Sequence, residues 1–112
     1  KHNDIKFHYD DTIEIKDFMD RNILPICTTV IYISIPENYK GGCLILRPSG
    51  NKNDEKIYKP KQGRKLTFRG DMYHCVEPFF CDYTTKRISL VFEQYKIPDE
   101  FIHKTHFSIR KR

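Results

Sequence analysis

The sequence predicts an all-β domain. Three observations carry that expectation: about seven short runs with strand character, turn-forming residues at regular intervals between them, and no long stretch with a helical period. Short strands punctuated in this way fit a β-sandwich or a barrel. A chain of 112 residues holds one domain. With 38% hydrophobic and 13% aromatic residues it can fill a modest core and is too apolar to be disordered.

The elements follow in order. Residues 5–10, Ile-Lys-Phe-His-Tyr-Asp, alternate between apolar and polar, as a half-buried strand does. Residues 12–22 are charged with scattered apolar positions and fit a loop or a short helix. Residues 26–35 are rich in β-branched side chains and predict a buried strand, ended by Pro36. A turn is expected over 37–42, where Gly41-Gly42 closes it. Residues 43–46 predict the next strand, closed by Pro48-Ser49-Gly50, and 51–55 a polar loop. Residues 57–59 and 65–68 predict two more strands before a turn at Gly70-Asp71. Residues 74–80 predict a strand, 82–85 a loop, and 87–92 the last strong strand; Pro98 then breaks the pattern.

Charge and cysteines narrow the function classes. The net charge of +5 suits acidic partners such as nucleic acid. That charge is spread along the chain, with a run only at Arg110-Lys111-Arg112, and unclustered charge reads as a solvated surface. The four cysteines, Cys27, Cys43, Cys75 and Cys81, have no CxxC spacing, which argues against a zinc site built on them. Most sit in apolar runs and read as buried thiols rather than disulfides. No apolar run approaches the length of a membrane span. With no signal-like segment, an intracellular setting is the expectation.

The chemistry-bearing residues lie on the strands. On a strand, residues two apart share a face, so His8 and Asp10 can reach one metal ion together. His74 opens a strand much later in the chain. Two histidines and one carboxylate make the facial triad of non-haem Fe(II) oxygenases, which leaves other coordination positions open. Each member alone is a weak signal, since surface strands routinely carry His and Asp. Arg87 and Ser89 share a strand face by the same rule. The strand from His74 runs away from the metal and returns at Arg87. At roughly 3.3 Å per residue, that places Arg87 about the length of a five-carbon diacid from the metal. A bidentate guanidinium is the natural partner of the far carboxylate of such a ligand. Arg87 in isolation fits a solvent face equally well.

Taken together, several motifs in order resemble a known family: "FHYDD", "TTVIYIS" followed by "ENYKGGCLIL", then "GRKLTFRGDMYHCVEPF", then "KRISLVF". From about Ile5 to Tyr95 the chain resembles the Fe(II)/2-oxoglutarate-dependent dioxygenases, nearest to the prolyl 4-hydroxylase-like branch. The resemblance implies a double-stranded β-helix, the jelly-roll or cupin-like architecture. It implies His8, Asp10 and His74 as iron ligands and Arg87 as partner of the 2-oxoglutarate C5 carboxylate. Ser89 matches the "RxS" variant of that site. Tyr32 resembles a tyrosine that adds a hydrogen bond to the same carboxylate; read from the residues alone, Tyr32 fits the core equally well. Gly41-Gly42 matches a glycine pair whose physical job is a turn. The gap from His74 to Arg87 is somewhat longer than in the nearest relatives.

The family's domain normally carries helices and at least one strand before the His-x-Asp strand, and this chain starts almost at that strand. The resemblance therefore implies that residues 1–112 are the C-terminal core of a catalytic domain without its N-terminal helices. Outward apolar positions in 26–35 are then expected to face water. The implied cofactors are Fe(II), 2-oxoglutarate as cosubstrate and O₂, with ascorbate as an accessory reductant. The implied reaction converts 2-oxoglutarate to succinate and CO₂ and hydroxylates a substrate C–H bond. The implied substrate is a protein side chain, prolyl first. One alternative is a nucleic-acid demethylase of the same superfamily, motivated by the +5 charge. Another is a cupin-like binding module without activity, against which a full triad plus Arg87 stands.

Overall fold

The computed structural model describes residues 5–10, 23–82 and 86–103. The expectations for 12–22, for most of the 82–85 loop and for the basic run at 110–112 lie outside the described residues. Within them the chain forms nine strands: β1 (Ile5–His8), β2 (Cys27–Ser34), β3 (Tyr39–Gly41), β4 (Leu44–Arg47), β5 (Lys56–Tyr58), β6 (Lys65–Arg69), β7 (Tyr73–Val76), β8 (Phe79–Cys81) and β9 (Ile88–Gln94). A single helical turn, α1 (Asp99–Ile102), follows.

The strands build a four-stranded sheet in the order β1-β7-β4-β5, a three-stranded sheet in the order β6-β2-β9, and a two-stranded β3-β8 pair. Every pairing is antiparallel. The chain is thus mostly β, as the strand and turn pattern predicts.

The core sits between the two larger sheets. On β2 the alternate residues Thr28, Val30 and Tyr32 are buried, with Thr28 and Tyr32 only 1% exposed. Such period-2 burial is what a strand with one face on a core requires. From the other sheet, Leu44 and Leu46 of β4 meet Val30, Tyr32, Ile35 and Phe68, with Tyr39, Tyr58, Leu66, Met72 and Val76 packed around them. Burying each large apolar side chain contributes about 1.5–3 kcal/mol, so this cluster is what holds the two sheets face to face.

Two expectations change. The turn expected over 37–42 contains β3, which pairs with β8, Lys40 opposite Phe80. The strand expected over 74–80 is two strands, β7 and β8, broken at Glu77-Pro78. Proline has no N–H to continue a ladder. The break lets the Pro78 carbonyl turn inward and accept from the Gly42 N–H at 3.0 Å. A Cβ at Gly41 would stand 2.0 Å from that same carbonyl oxygen, and Gly41 and Gly42 both have positive φ, 73° and 75°. The glycine pair is thus required by a close backbone approach as well as by the turn.

Candidate metal centre

β1 and β7 run side by side with His8 directly opposite His74, and β7 continues the sheet with His74 opposite Leu46. Opposed residues on antiparallel strands point to the same face, so both imidazoles stand on the core side with Leu46. The opposite face is clad by aromatics. The Phe7 ring stacks on Tyr73 at 5.1 Å, Tyr9 packs on Tyr73 at 5.0 Å, and the Arg47 guanidinium lies 3.8 Å over Phe7 while its Nε donates to Glu55 at 2.8 Å. With Phe7 and Tyr9 held outward, His8 has only the inner face left.

β1 ends at His8, so Asp10 lies two residues past the strand rather than within it. Its carboxylate nevertheless returns to the same point. Oδ1 stands 3.3 Å from His8 Nε2 and 3.4 Å from His74 Nε2. One ligand atom from each of the three residues lies within 4.8 Å of the other two. Ligand bonds to such atoms are about 2.0–2.2 Å, so a small movement closes the set around one ion.

The donor chemistry fits a metal. Each histidine places Nδ1 against the carbonyl two residues before it, His8 on Lys6 at 2.7 Å and His74 on Met72 at 2.9 Å. A carbonyl can only accept, so Nδ1 carries a proton; the charged His74 ring also donates from Nε2 to Asp10, and in the neutral ring Nε2 has the lone pair that a metal would take. This is the usual way a protein fixes the tautomer of a ligating imidazole. Both lone pairs then aim at the region of Asp10 Oδ1, between two nitrogens and one oxygen, the donor set of a 2-His-1-carboxylate centre.

A single rung of the opposite sheet supports the triad from below. Thr28 pairs with Phe68 on one side and with Glu93 on the other. The Thr28 hydroxyl donates to Asp10 Oδ2 at 2.7 Å, and the Phe68 ring packs on the His74 ring at 4.9 Å. The sequence reading missed all three rung residues. The signal for Thr28 was present: it lies four residues before Tyr32 on the same strand face, a polar residue among buried apolar ones.

Electrostatics follow from this packing. Burial pushes the Asp10 carboxyl up, but hydrogen bonds from His74 and Thr28 and the charges of His74 and His8 outweigh it and hold the group below the ordinary carboxylate range. Burial pushes His74 down, while its bonds to Asp10 and the Met72 carbonyl, with the negative charges of Asp10 and Glu93, bring it above an ordinary histidine.

Arg87 lies just before β9. Its guanidinium sits 5.7 Å over the Tyr32 ring and 5.2 Å over the Phe79 ring, within cation–π range. Ser89 pairs directly with Tyr32 and so shares its face. Arg87, Ser89 and Tyr32 are therefore neighbours. Among the described residues no carboxylate stands within ion-pair distance of Arg87. Burial raises the Tyr32 phenol, and the charges of Arg87 and Arg64 offset only part of the effect, so it stays a neutral donor. Along β2, Tyr32 lies four residues from the Thr28 end of the site, roughly 13 Å at strand rise.

The four cysteines are free, as expected, but only Cys75 is buried; Cys27, Cys43 and Cys81 are partly exposed, which corrects their reading as buried thiols. No described helix is long and apolar enough to cross a membrane. Compared with known protein families, with curated proteins and with solved structures, the chain finds no match.

Proposed function

We propose that the protein is an Fe(II)- and 2-oxoglutarate-dependent dioxygenase built on a double-stranded β-helix. The observation that carries this reading is the convergence of His8, Asp10 and His74 from two strands and a loop onto one point. The facing sheets β1-β7-β4-β5 and β6-β2-β9, which the chain visits by repeated crossing, support the architecture. Bound iron with 2-oxoglutarate and O₂ supplies the oxidising power for C–H hydroxylation, releasing succinate and CO₂.

The chain's own residues supply placement. His8, Asp10 and His74 hold the ion through two neutral nitrogens and one carboxylate oxygen. The Arg87 guanidinium, with no carboxylate partner among the described residues, takes the far carboxylate of the cosubstrate as a bidentate partner. Tyr32 adds a neutral O–H donor beside it, and Ser89 a hydroxyl on the same face. Leu46 and Phe68 keep the histidine side of the site apolar. The substrate class that the motif resemblance favours is a protein side chain such as proline.

The test is formation of succinate from 2-oxoglutarate by the purified chain, with Fe(II) and ascorbate, with and without proline-containing peptides. Fe(II)-dependent succinate that disappears in the Asp10→Ala variant is the expected result. No Fe(II)-dependent turnover, with no binding of divalent metal at the triad, would sink the reading.

A further inference from the structure

We propose that Thr28 is a positioning residue that commits Asp10 to hold its metal through one oxygen. The inference rests on the reading of the triad as a metal centre and names a residue outside it.

The carboxylate of Asp10 has two oxygens in different surroundings. Oδ1 faces the two imidazole Nε2 atoms, at 3.3 and 3.4 Å. Oδ2 faces away from them and accepts the Thr28 hydroxyl at 2.7 Å. A carboxylate with both oxygens free can chelate an ion with both. One whose second oxygen is held by a short hydrogen bond presents one oxygen to the metal and keeps its plane fixed. That difference matters here because each extra protein oxygen on the ion removes a coordination position that exogenous ligands need.

Thr28 is suited to the task by its own fixation. It is 1% exposed and sits in the central strand of its sheet, with backbone neighbours on both sides, Phe68 on β6 and Glu93 on β9. A β-branched side chain in a strand has restricted χ1 freedom. The hydroxyl is thus aimed by the sheet, and Asp10, which lies beyond the end of β1, is aimed by the hydroxyl. Asp10 is the triad member without a place in a ladder, so it has the most to gain from an anchor on the opposite sheet. The two histidines are anchored otherwise, by their own strands and by the carbonyls of Lys6 and Met72.

The experiment compares the full chain with Thr28→Val, Thr28→Ser and Thr28→Ala. Mn(II) binding is followed by electron paramagnetic resonance and Co(II) binding by visible absorption, well below every variant's melting temperature. Loss of a partner that orients a metal ligand typically costs 10–100-fold in metal affinity. Thr28→Val is expected to lose about that much, and Thr28→Ser to stay within about threefold of the parent. Should the valine variant fail to fold, Thr28→Ser against Thr28→Ala decides, since both lack the methyl and only one has the hydroxyl. Serine binding as weakly as alanine would overturn the proposal, because a mere packing role makes those two alike. A folded valine variant binding as tightly as the parent would overturn it as well. If the parent chain binds neither ion, the metal-centre reading itself fails and takes this inference with it.

Discussion

At the triad end of the candidate site, the polar atoms of His8, Asp10 and His74 are engaged by the protein. Both ring Nδ1 atoms rest on carbonyls, Asp10 Oδ2 rests on Thr28, and Oδ1 sits between the two Nε2 atoms. At the Arg87 end the guanidinium meets ring faces, Tyr32 and Phe79, and no described carboxylate balances its charge. The first end is an assembled polar network drawn from both sheets. The second is one cation held in place by apolar surfaces. The contrast teaches that the triad is assembled by folding, whereas the cation has, among the described residues, no carboxylate to balance it. Damage should accordingly spread through the network at one end and stay local at the other.

Four measurements bear on that contrast, beginning with the largest effect. His74→Ala removes a ligand, the partner of Asp10 and the ring against Phe68 together. Stoichiometric Mn(II) or Co(II) binding is expected to vanish; retention of near-parental affinity would show that the triad is not the seat. Arg87→Ala comes second. Losing the protein's half of a buried charge pair costs about 2–5 kcal/mol, roughly 30-fold to several thousand-fold in 2-oxoglutarate affinity by the tenfold-per-1.4 kcal/mol rule. Metal affinity in the same variant is expected to stay within about threefold, since no member of the network touches Arg87. A matching fall in metal affinity would break the contrast between the ends.

The third measurement is pH dependence. A metal must displace the proton of His74, whose affinity for protons is raised. Metal binding is expected to fall about tenfold per pH unit on acidification, starting above the ordinary imidazole value of about 6.5. Stability of the metal-free chain runs the other way over that range. A raised folded pKa contributes stability that is full below about pH 6.5 and lost as pH rises through the raised value. The lowered Asp10 pKa contributes stability above about pH 3.9, lost as pH falls through its folded value. A melting temperature for the metal-free chain that climbs on acidification toward pH 6.5 while metal affinity falls would confirm the sign; parallel trends would contradict it. The smallest effect is expected for Tyr32→Phe. It keeps the ring under Arg87 and deletes one neutral donor, worth about 0.5–1.5 kcal/mol, or roughly tenfold at most in cosubstrate affinity.

Period-2 patterning made much of this legible. It gave β2, β4, β6 and β9 within a few residues of their bounds, and it grouped His8 with Asp10, but it did not show that the apolar residues of β1, Phe7 and Tyr9, turn outward and leave the inner face to His8. It was weaker where backbone contacts decide. The β3-β8 pair depends on the Pro78 carbonyl meeting Gly42, a contact between residues far apart in the chain. Thr28 read as strand propensity because its role lies in a hydrogen bond to a loop residue. Layering was also illegible. β2 and β9 are alike in sequence, yet Val30 and Tyr32 are buried while Leu90, Val91 and Phe92 are about half exposed. β2 has a neighbour at each edge and a sheet over its inner face. β9, among the described residues, has a neighbour at one edge. A strand's own residues do not record how many layers cover it. The expectation that outward apolar positions in 26–35 face water does hold at Ile26 and Ile33.

The pairing of the first strand with the seventh has a consequence in time. His8 cannot meet His74 until the 66 residues that follow it exist, and Thr28 is not seated until β9 has closed on β2, with Cys27 opposite Gln94. Such distant partners must lose loop entropy before any contact rewards them, which places folding in the slow, milliseconds-to-seconds class of β topologies. During synthesis, at about 5–20 residues per second, the 66 residues from His8 to His74 keep these side chains apart for roughly 3–13 seconds. An ion that takes the proposed seat would find scattered side chains early on, so it would not act as a nucleus. Its influence would belong to the finished molecule, where it is expected to slow unfolding and leave the folding rate unchanged.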